Sequence, residues 1–301
     1  MSAHDSLIFD RPLARARRAR AGRLAGADRA IHAHVARELA LRLGDVERSF
    51  SRVLALGAAF CDVPLPHRSR NPELLVRAES VPALLAGLQG PRVAFDEEAL
   101  PFAEESFDVV LAPLVLHGLN DLPGALVQLR RALRPDGLLL AALFGGETLR
   151  ELREALLEAE IETMGGASPR VAPMASLTDC AGLLQRAGVA LPVADRESLT
   201  LTYESPLGLF RDLRAMGETS TLLARTKGPL PRAALARMLD IYTARYPSPG
   251  GRVRATFEIF YLTAWAPDPS QPKPLRPGSA TARLADALGT TERPAGDKAR
   301  P

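Results

Sequence analysis

Between Val93 and Gly137 the spacing of apolar residues switches repeatedly, and each switch marks an element. Val93, Ala94 and Phe95 predict a short strand, and Asp96, Glu97 and Glu98 put carboxylates at its carboxyl end, the edge where open α/β sheets bind ligands. Leu100-Pro101-Phe102 turns the chain. The run from Phe107 to Val115 is almost continuously apolar, as a strand covered on both faces requires. Asp121 then suits an N-cap and Pro123 a first helical turn, with Leu122, Leu126, Leu129 and Leu133 on one face. Arg134-Pro135-Asp136-Gly137 ends that helix before the next apolar run, Leu138 to Phe144.

The same reading extends outward. Ile31, Val35, Leu39 and Leu43 recur at helical spacing before Gly44, so residues 1 to 50 are predicted to be mainly helical, an N-terminal lid. Ser51 to Gly57, Leu74 to Ala78 and Val93 to Phe95 read as strands with helices between them. Thr148 and Glu151 have the spacing of a capping box opening a helix with Leu149, Leu152 and Leu156 on one face, closed by Gly165-Gly166. Ser176 caps a further helix ending at Gly188. Asp195 to Tyr203 and the aromatic, β-branched Phe257 to Trp265 read as strands. Between those two strands, helices at Leu207 to Ala215 and Arg232 to Arg245 form an insertion, about residues 204–250, expected to cover the strand ends as a substrate lid. The organisation is thus a lid segment at 1–50, one α/β domain at 51–266, and a Pro-, Gly- and Ala-rich tail at 267–301 predicted to be disordered.

Composition narrows the class. A chain of 301 residues with 47% hydrophobic residues can bury one large core. Lysine occurs only at Lys227, Lys273 and Lys298 among 38 basic residues, a bias that reads as genome composition. A net charge of +3 is too small to imply a nucleic-acid partner, and Tyr242, Tyr246 and the aromatics of 257–265 read as core. Cys61 and Cys180 are too few for a disulfide framework or a four-ligand zinc site. No apolar run is long enough to span a bilayer. Arg11 to Arg29 holds seven arginines against one acid, Asp28. That arm reads either as a solvated helix or as a surface for acidic lipid headgroups or an acidic partner, allowing at most peripheral membrane contact.

The motifs Asp96 with Leu100-Pro101-Phe102, Phe107-Asp108-Val109-Val110, Leu116-His117 with Asn120-Asp121, and Leu133-Arg134-Pro135-Asp136-Gly137 resemble S-adenosylmethionine-dependent methyltransferases of the ubiquinone and biotin pathway type. Ile8-Phe9-Asp10-Arg11, Leu143 to Leu149, Met216-Gly217-Glu218 and Gly278-Ser279-Ala280-Thr281 are similar to the family of the fifth mitochondrial complex I assembly factor and its bacterial relatives. The resemblance spans roughly residues 8 to 289. It implies a Rossmann-like, doubly wound class I methyltransferase fold with a seven-stranded, mostly parallel sheet. It also implies two activities, methyl transfer from S-adenosylmethionine or hydroxylation of an arginine on a respiratory-complex subunit, and so a protein partner. Because Ile8 to Arg11 lies at the very start, a removable presequence is not expected, and a bacterial cytoplasmic protein is.

In such methyltransferases the first strand ends in a glycine-rich turn against the cofactor. Here only Gly57 remains, with Ala55, Ala58 and Ala59 around it and Pro64 and Pro66 where a helix should follow. A working cofactor turn and a purely structural loop both stay open. Glu79 follows Gly57 at about the 20-residue interval of a ribose-binding acid, or is an exposed acid at a helix start. Asp96, with the backbone of Glu97, would accept from an adenine amine, or these acids form a solvated turn. His117 is the candidate general base, or a packed structural histidine. His32 and His34 do not share a helix face, so no metal site is expected. Ala112-Pro113 further removes a donor and a polar side chain, and the losses predict weak or absent S-adenosylmethionine binding. A non-enzymatic chaperone is the rival reading, and an active methyltransferase of protein or small-molecule substrates the other alternative.

Overall fold

A computed structural model describes residues 7–24, 29–272 and 284–291. Residues up to Pro267 form one unit and those from Asp268 another. In the first, the strands β1 (Arg52–Leu56), β2 (Leu74–Glu79), β3 (Arg92–Ala94), β4 (Phe107–Pro113), β5 (Leu133–Phe144), β6 (Ala190–Tyr203), β7 (Pro247–Ser248) and β8 (Arg252–Trp265) build one sheet ordered β3-β2-β1-β4-β5-β8-β6, with β7 beside β8. The pairs among β1 to β5 are parallel, whereas β8 runs antiparallel to both β5 and β6. This is the doubly wound arrangement expected, with the two-residue β7 as an eighth strand.

Strand side chains alternate between two cores. Val53, Val109, Leu111, Leu138, Leu140 and Phe257 face one core, with helices α2 (Ala30–Gly44), α4 (Arg150–Met164), α6 (Pro206–Met216) and α7 (Arg232–Arg245). Leu54, Val110, Leu139, Leu143 and Phe260 face the other, with α3 (Leu122–Ala132) and α5 (Leu177–Arg186). Asp121 caps α3 by accepting from Gly124 N at 2.8 Å, and Ser176 with Asp179 forms a full capping box on α5.

Several expectations are corrected. The stripe Ile31, Val35, Leu39 and Leu43 is fully buried, but α2 packs on β4 and β5 as a layer of the domain rather than as a lid. No α-helix connects β1 to β2 or β2 to β3. The connections hold only short 3₁₀ segments, His67–Ser69 after Pro64 and Pro66, whose missing donors disfavour a longer helix there, and Pro82–Gly87, opened by Pro82. Thr148 and Glu151 do not cap α4. Thr148 Oγ1 instead bridges the backbone of Glu258, and the buried Glu151 carboxylate accepts from Thr256 N and Oγ1 at 3.0 and 2.5 Å, so both staple α4 to β8. The residue preceding α4, Leu149, adopts a left-handed φ of 57° with no side-chain cap. Of the two helices of the insertion, α6 faces the strand ends and α7 packs against α4.

The Gly278-to-Thr281 motif and most of the expected disordered tail lie outside the described residues. Asp268 to Gln271 form a turn closed by the Asp268 carboxylate, and Leu284–Ala287 form one helical turn. No helix among the described residues is long and apolar enough to cross a membrane.

Because Leu39 is wholly enclosed between α2 and the sheet, Leu39→Ala should cost about 2–5 kcal/mol in denaturant unfolding. Removal of residues 1 to 26 should leave the sheet and α2 folded. An unfolding midpoint unmoved by Leu39→Ala would contradict this packing.

Candidate functional site

The strand order reverses between β1 and β4, and the carboxyl ends of β1, β2, β3 and β4 meet there, the usual binding crevice of such sheets. Gly57 follows β1 with φ +66° and donates to Ala78 O at 2.8 Å. A Cβ added there would come within 2.4 Å of Val115 Cγ1, so glycine is required by the loop packing itself.

Glu79, at the end of β2, is not an exposed helix-start acid: its side chain is 1% exposed. Its two carboxylate oxygens receive Arg18 Nε at 2.7 Å and Nη2 at 2.8 Å, a bidentate pair, and one also accepts from Ser80 N at 3.0 Å. Arg18 Nη2 is a further 3.3 Å from Gly57 O, and its guanidinium lies 4.2 Å from the Phe60 ring centroid, as does that of Arg29. Burial lowers the Arg18 pKa, and the charge and hydrogen bond of Glu79 more than restore it.

Asp96 to Glu98 are not a solvated turn either. Arg11 reaches Asp96 and Glu97 at 2.6 Å each and Glu98 at 3.0 Å, while Arg15 reaches Asp96 at 2.7 Å. Partial burial pushes the Asp96 pKa up, but hydrogen bonds from Arg11, the Glu98 backbone and Arg15 outweigh it and hold the group down to about 2.

All three arginines come from α1 (Arg11–Gly22), the helix of the arginine-rich arm. That arm is therefore no free solvated helix: it is docked across the ends of β1, β2 and β3. The motif at 8–11 performs the docking. Asn120 Oδ1 accepts from Ile8 N and Phe9 N at 2.8 Å, Phe9 pairs with Leu222, and the Asp10 carboxylate caps α1 by accepting from Leu13 N at 3.0 Å. Glu98 in turn accepts from Asn120 N at 2.6 Å.

A cavity of about 320 Å³ lies under α1. Phe9, Leu149, Leu152, Leu213 and Met216 give it apolar walls, and Arg11, Arg15, Arg18, Arg170, Arg214, Glu97, His117 and Glu218 its charged and polar groups. His117 Nε2 is 3.0 Å from Glu218 Oε2, and the imidazole packs 4.8 Å from the Phe144 ring centroid. Burial raises the Glu218 pKa, yet the charge and hydrogen bond of His117, with smaller contributions from His32 and Arg18, bring it below the usual carboxylate range. Glu218 is the cavity residue that sequence reasoning did not single out, although it belongs to Met216-Gly217-Glu218. Gly217, at φ +83°, ends α6 in a left-handed turn, and a Cβ there would approach Arg18 Cα at 3.3 Å.

The structure brings Gly57, Glu79, Asp96, Glu97 and His117 to the same edge of the sheet. His32 is apart from them in role: burial pushes its pKa down to about 3, and its ring packs edge-on against Phe60. Cys61 and Cys180 are buried thiols whose pKa burial pushes up, to about 12 and about 11. Among the described residues no group of His, Cys, Asp and Glu is arranged to hold a metal ion.

A family profile described as a methyltransferase domain matches residues 76–141. Over 289 residues the chain is 36% identical to the arginine-hydroxylase NDUFAF5, mitochondrial, of Danio rerio, covering 93% of this chain and 89% of that protein. The Homo sapiens protein of the same name is 35% identical over 289 residues, with 93% and 83% covered. A malonyl-[acyl-carrier protein] O-methyltransferase of Halorhodospira halophila is 37% identical over 245 residues, covering 78% of this chain and 81% of its own. Among solved structures, the YcgJ protein of Bacillus subtilis aligns with a TM-score of 0.51 at 16% identity, over 78% of this chain and 99% of its own, a likeness of fold alone.

The depressed Asp96 pKa sets a pH window. A carboxylate held below its unfolded value near ~3.9 stabilises the native chain fully above that value and loses its contribution as pH falls through about 2. The stability gap between the natural chain and the Arg11→Ala, Arg15→Ala double variant should be steady from about pH 7 to about pH 5 and close between about pH 4 and about pH 2. Urea unfolding across that range measures it, and a gap still full at the acid end would contradict the pairing.

Proposed function

The chain belongs to the arginine-hydroxylase NDUFAF5 family, and from that premise we propose that it acts on, or chaperones, an arginine-bearing subunit of a respiratory complex in the bacterial cytoplasm. The cavity under α1 is the working site of this reading. Contact with the inner membrane, where such complexes reside, is peripheral at most and runs through the exposed faces of the arginine-rich helix.

One observation carries the reading: the carboxylates that a nucleoside cofactor would need are already engaged by the chain's own arginines. Glu79 is closed by the bidentate Arg18 pair, and Asp96 by Arg11 and Arg15. Around Gly57, the buried side chain of Ala58 and the proline-interrupted loop after it leave no glycine-rich cradle on a helix N-terminus. The residues present therefore do not fit S-adenosylmethionine as a tightly held cofactor. His117, paired to Glu218 through Nε2, is a binding group in this reading.

A second reading, an active methyltransferase, is favoured by the likeness to the malonyl-[acyl-carrier protein] O-methyltransferases over most of the domain. Calorimetric titration separates the two. Two carboxylates worth about 0.5–3 kcal/mol each fall short of the roughly 8 kcal/mol that micromolar affinity requires. S-Adenosylmethionine should therefore bind with a dissociation constant well above the micromolar range, while in-cell crosslinking recovers a respiratory-complex subunit. Low-micromolar binding weakened at least about tenfold by Asp96→Ala, with only small-molecule pathway enzymes crosslinked, would establish methyl transfer instead.

A further inference from the structure

We propose that Arg17, Arg20, Arg214 and Thr219 form a site for a small soluble phosphate ester at the junction of α1 and α6, an inference independent of the respiratory-complex reading. The four residues line a recess of about 270 Å³. Arg17 and Arg20, three positions apart, share a face of α1, and Arg214 comes from the last turn of α6, the helix on which α1 packs. Arg20 and Arg214 are exposed and Arg17 and Thr219 half-buried, so a solute reaches the recess from solvent. Arg214 and Thr219 also line the cavity under α1, which puts the recess at the rim of that cavity.

These arginines lack a counter-charge. Arg11, Arg15 and Arg18 of the same helix are all seated on carboxylates. Among the described residues no carboxylate lies within ion-pair distance of Arg17, Arg20 or Arg214, and the Thr219 hydroxyl has no hydrogen-bond partner. Arg17 Nη1 donates to Ser220 O, which fixes its guanidinium against the segment after α6. Burial, then the charges of Arg225 and Arg20, lower the Arg17 pKa against a smaller pull from Asp10, which is itself paired to Arg225 at 3.5 Å. Arg17 is thus a partly desolvated cation among cations, a state that an entering anion relieves. The carboxyl ends of α1 and α6, each equivalent to roughly half a negative charge, favour Arg20 and Arg214 but still leave a surplus of about two positive charges.

The surplus and the donor set select the ligand. A phosphate monoester carries about −1.5 to −2 charges near neutral pH and three strong acceptor oxygens, so it can engage several guanidinium forks and a hydroxyl together. A carboxylate carries one charge and is satisfied by a single fork. A volume of about 270 Å³ lies just below the about 300–1,000 Å³ of sites for larger ligands, and it suits a compact group that enters between two helices.

In the test, glycerol 3-phosphate and succinate, both dianions, are titrated calorimetrically into the full chain at constant ionic strength. The phosphate ester should bind at least about tenfold tighter than succinate. Arg20→Gln and Arg214→Gln should each weaken it at least about fivefold, and Arg214→Lys, which keeps the charge and loses the fork, should recover part of that loss. Arg211→Gln, one turn earlier on α6 and outside the recess, should leave the affinity unchanged. Unmoved unfolding midpoints show that the variants fold, and the comparison of the two ligands on the natural chain needs no variant. Equal affinities for the two dianions, or a loss in Arg211→Gln as large as in Arg214→Gln, would overturn the proposal by revealing a general attraction to a cationic surface. So would binding to phosphatidylglycerol vesicles that requires Arg20 and Arg214 while glycerol 3-phosphate binds no tighter than succinate.

Discussion

The Arg18–Glu79 pair ties the N-terminal helix to the sheet. Taking two charges out of water costs several kcal/mol per ion, and their attraction repays this only with good geometry and further hydrogen bonds. Here the geometry is bidentate, Ser80 N satisfies one carboxylate oxygen, and Phe60 lies beside the guanidinium. The pair therefore holds α1 in one register and leaves little freedom at the end of β2. Everything above the strand ends inherits its position from that constraint: the reach of Arg11 and Arg15 to Asp96, the roof of the cavity, and the approach of Gly217 to the α1 backbone.

The second constraint is Asn120. It binds the extended backbone at Ile8 and Phe9 through its side chain, while its own N–H is held by Glu98. Segments that look unrelated in the sequence, near residues 8–11, 96–98, 120 and 218–223, are thus parts of one hydrogen-bonded assembly. Their motif character follows from mutual satisfaction of partly buried polar groups.

Much of the fold was legible because it rests on local physics. The central apolar runs gave β4 and β5, Asp121 and Ser176 capped the helices they were expected to cap, and the aromatic 257–265 segment became the antiparallel β8. The site was legible only in its acids. Glu79, Asp96 and Glu97 could be picked out by spacing and position, but their partners Arg18, Arg15 and Arg11 are 61, 81 and 86 residues away. No periodicity reports such a pairing, and in an arginine-biased sequence those side chains resemble background. Thr148 and Glu151 misled for a related reason. Their spacing satisfied a local rule, yet β8 offered both a better partner. Glu218 was hidden because its significance depends on His117, 101 positions earlier.

The docking of α1 also orders events in the life of the chain. Asp10 meets Arg225, 215 positions later, and Phe9 pairs with Leu222. At a synthesis rate of about 5–20 residues per second, the arm leaves the ribosome roughly 10–40 s before its counterpart does. The carboxylates that seat its arginines emerge sooner, Glu79 61 positions after Arg18 and Asp96 81 positions after Arg15, whereas the contacts of Phe9 and Asp10 with Leu222 and Arg225 come last. The arm can thus seat its charges on the sheet early, and its hydrogen-bonded closure at Leu222 and Arg225 follows as a separate, later step of maturation.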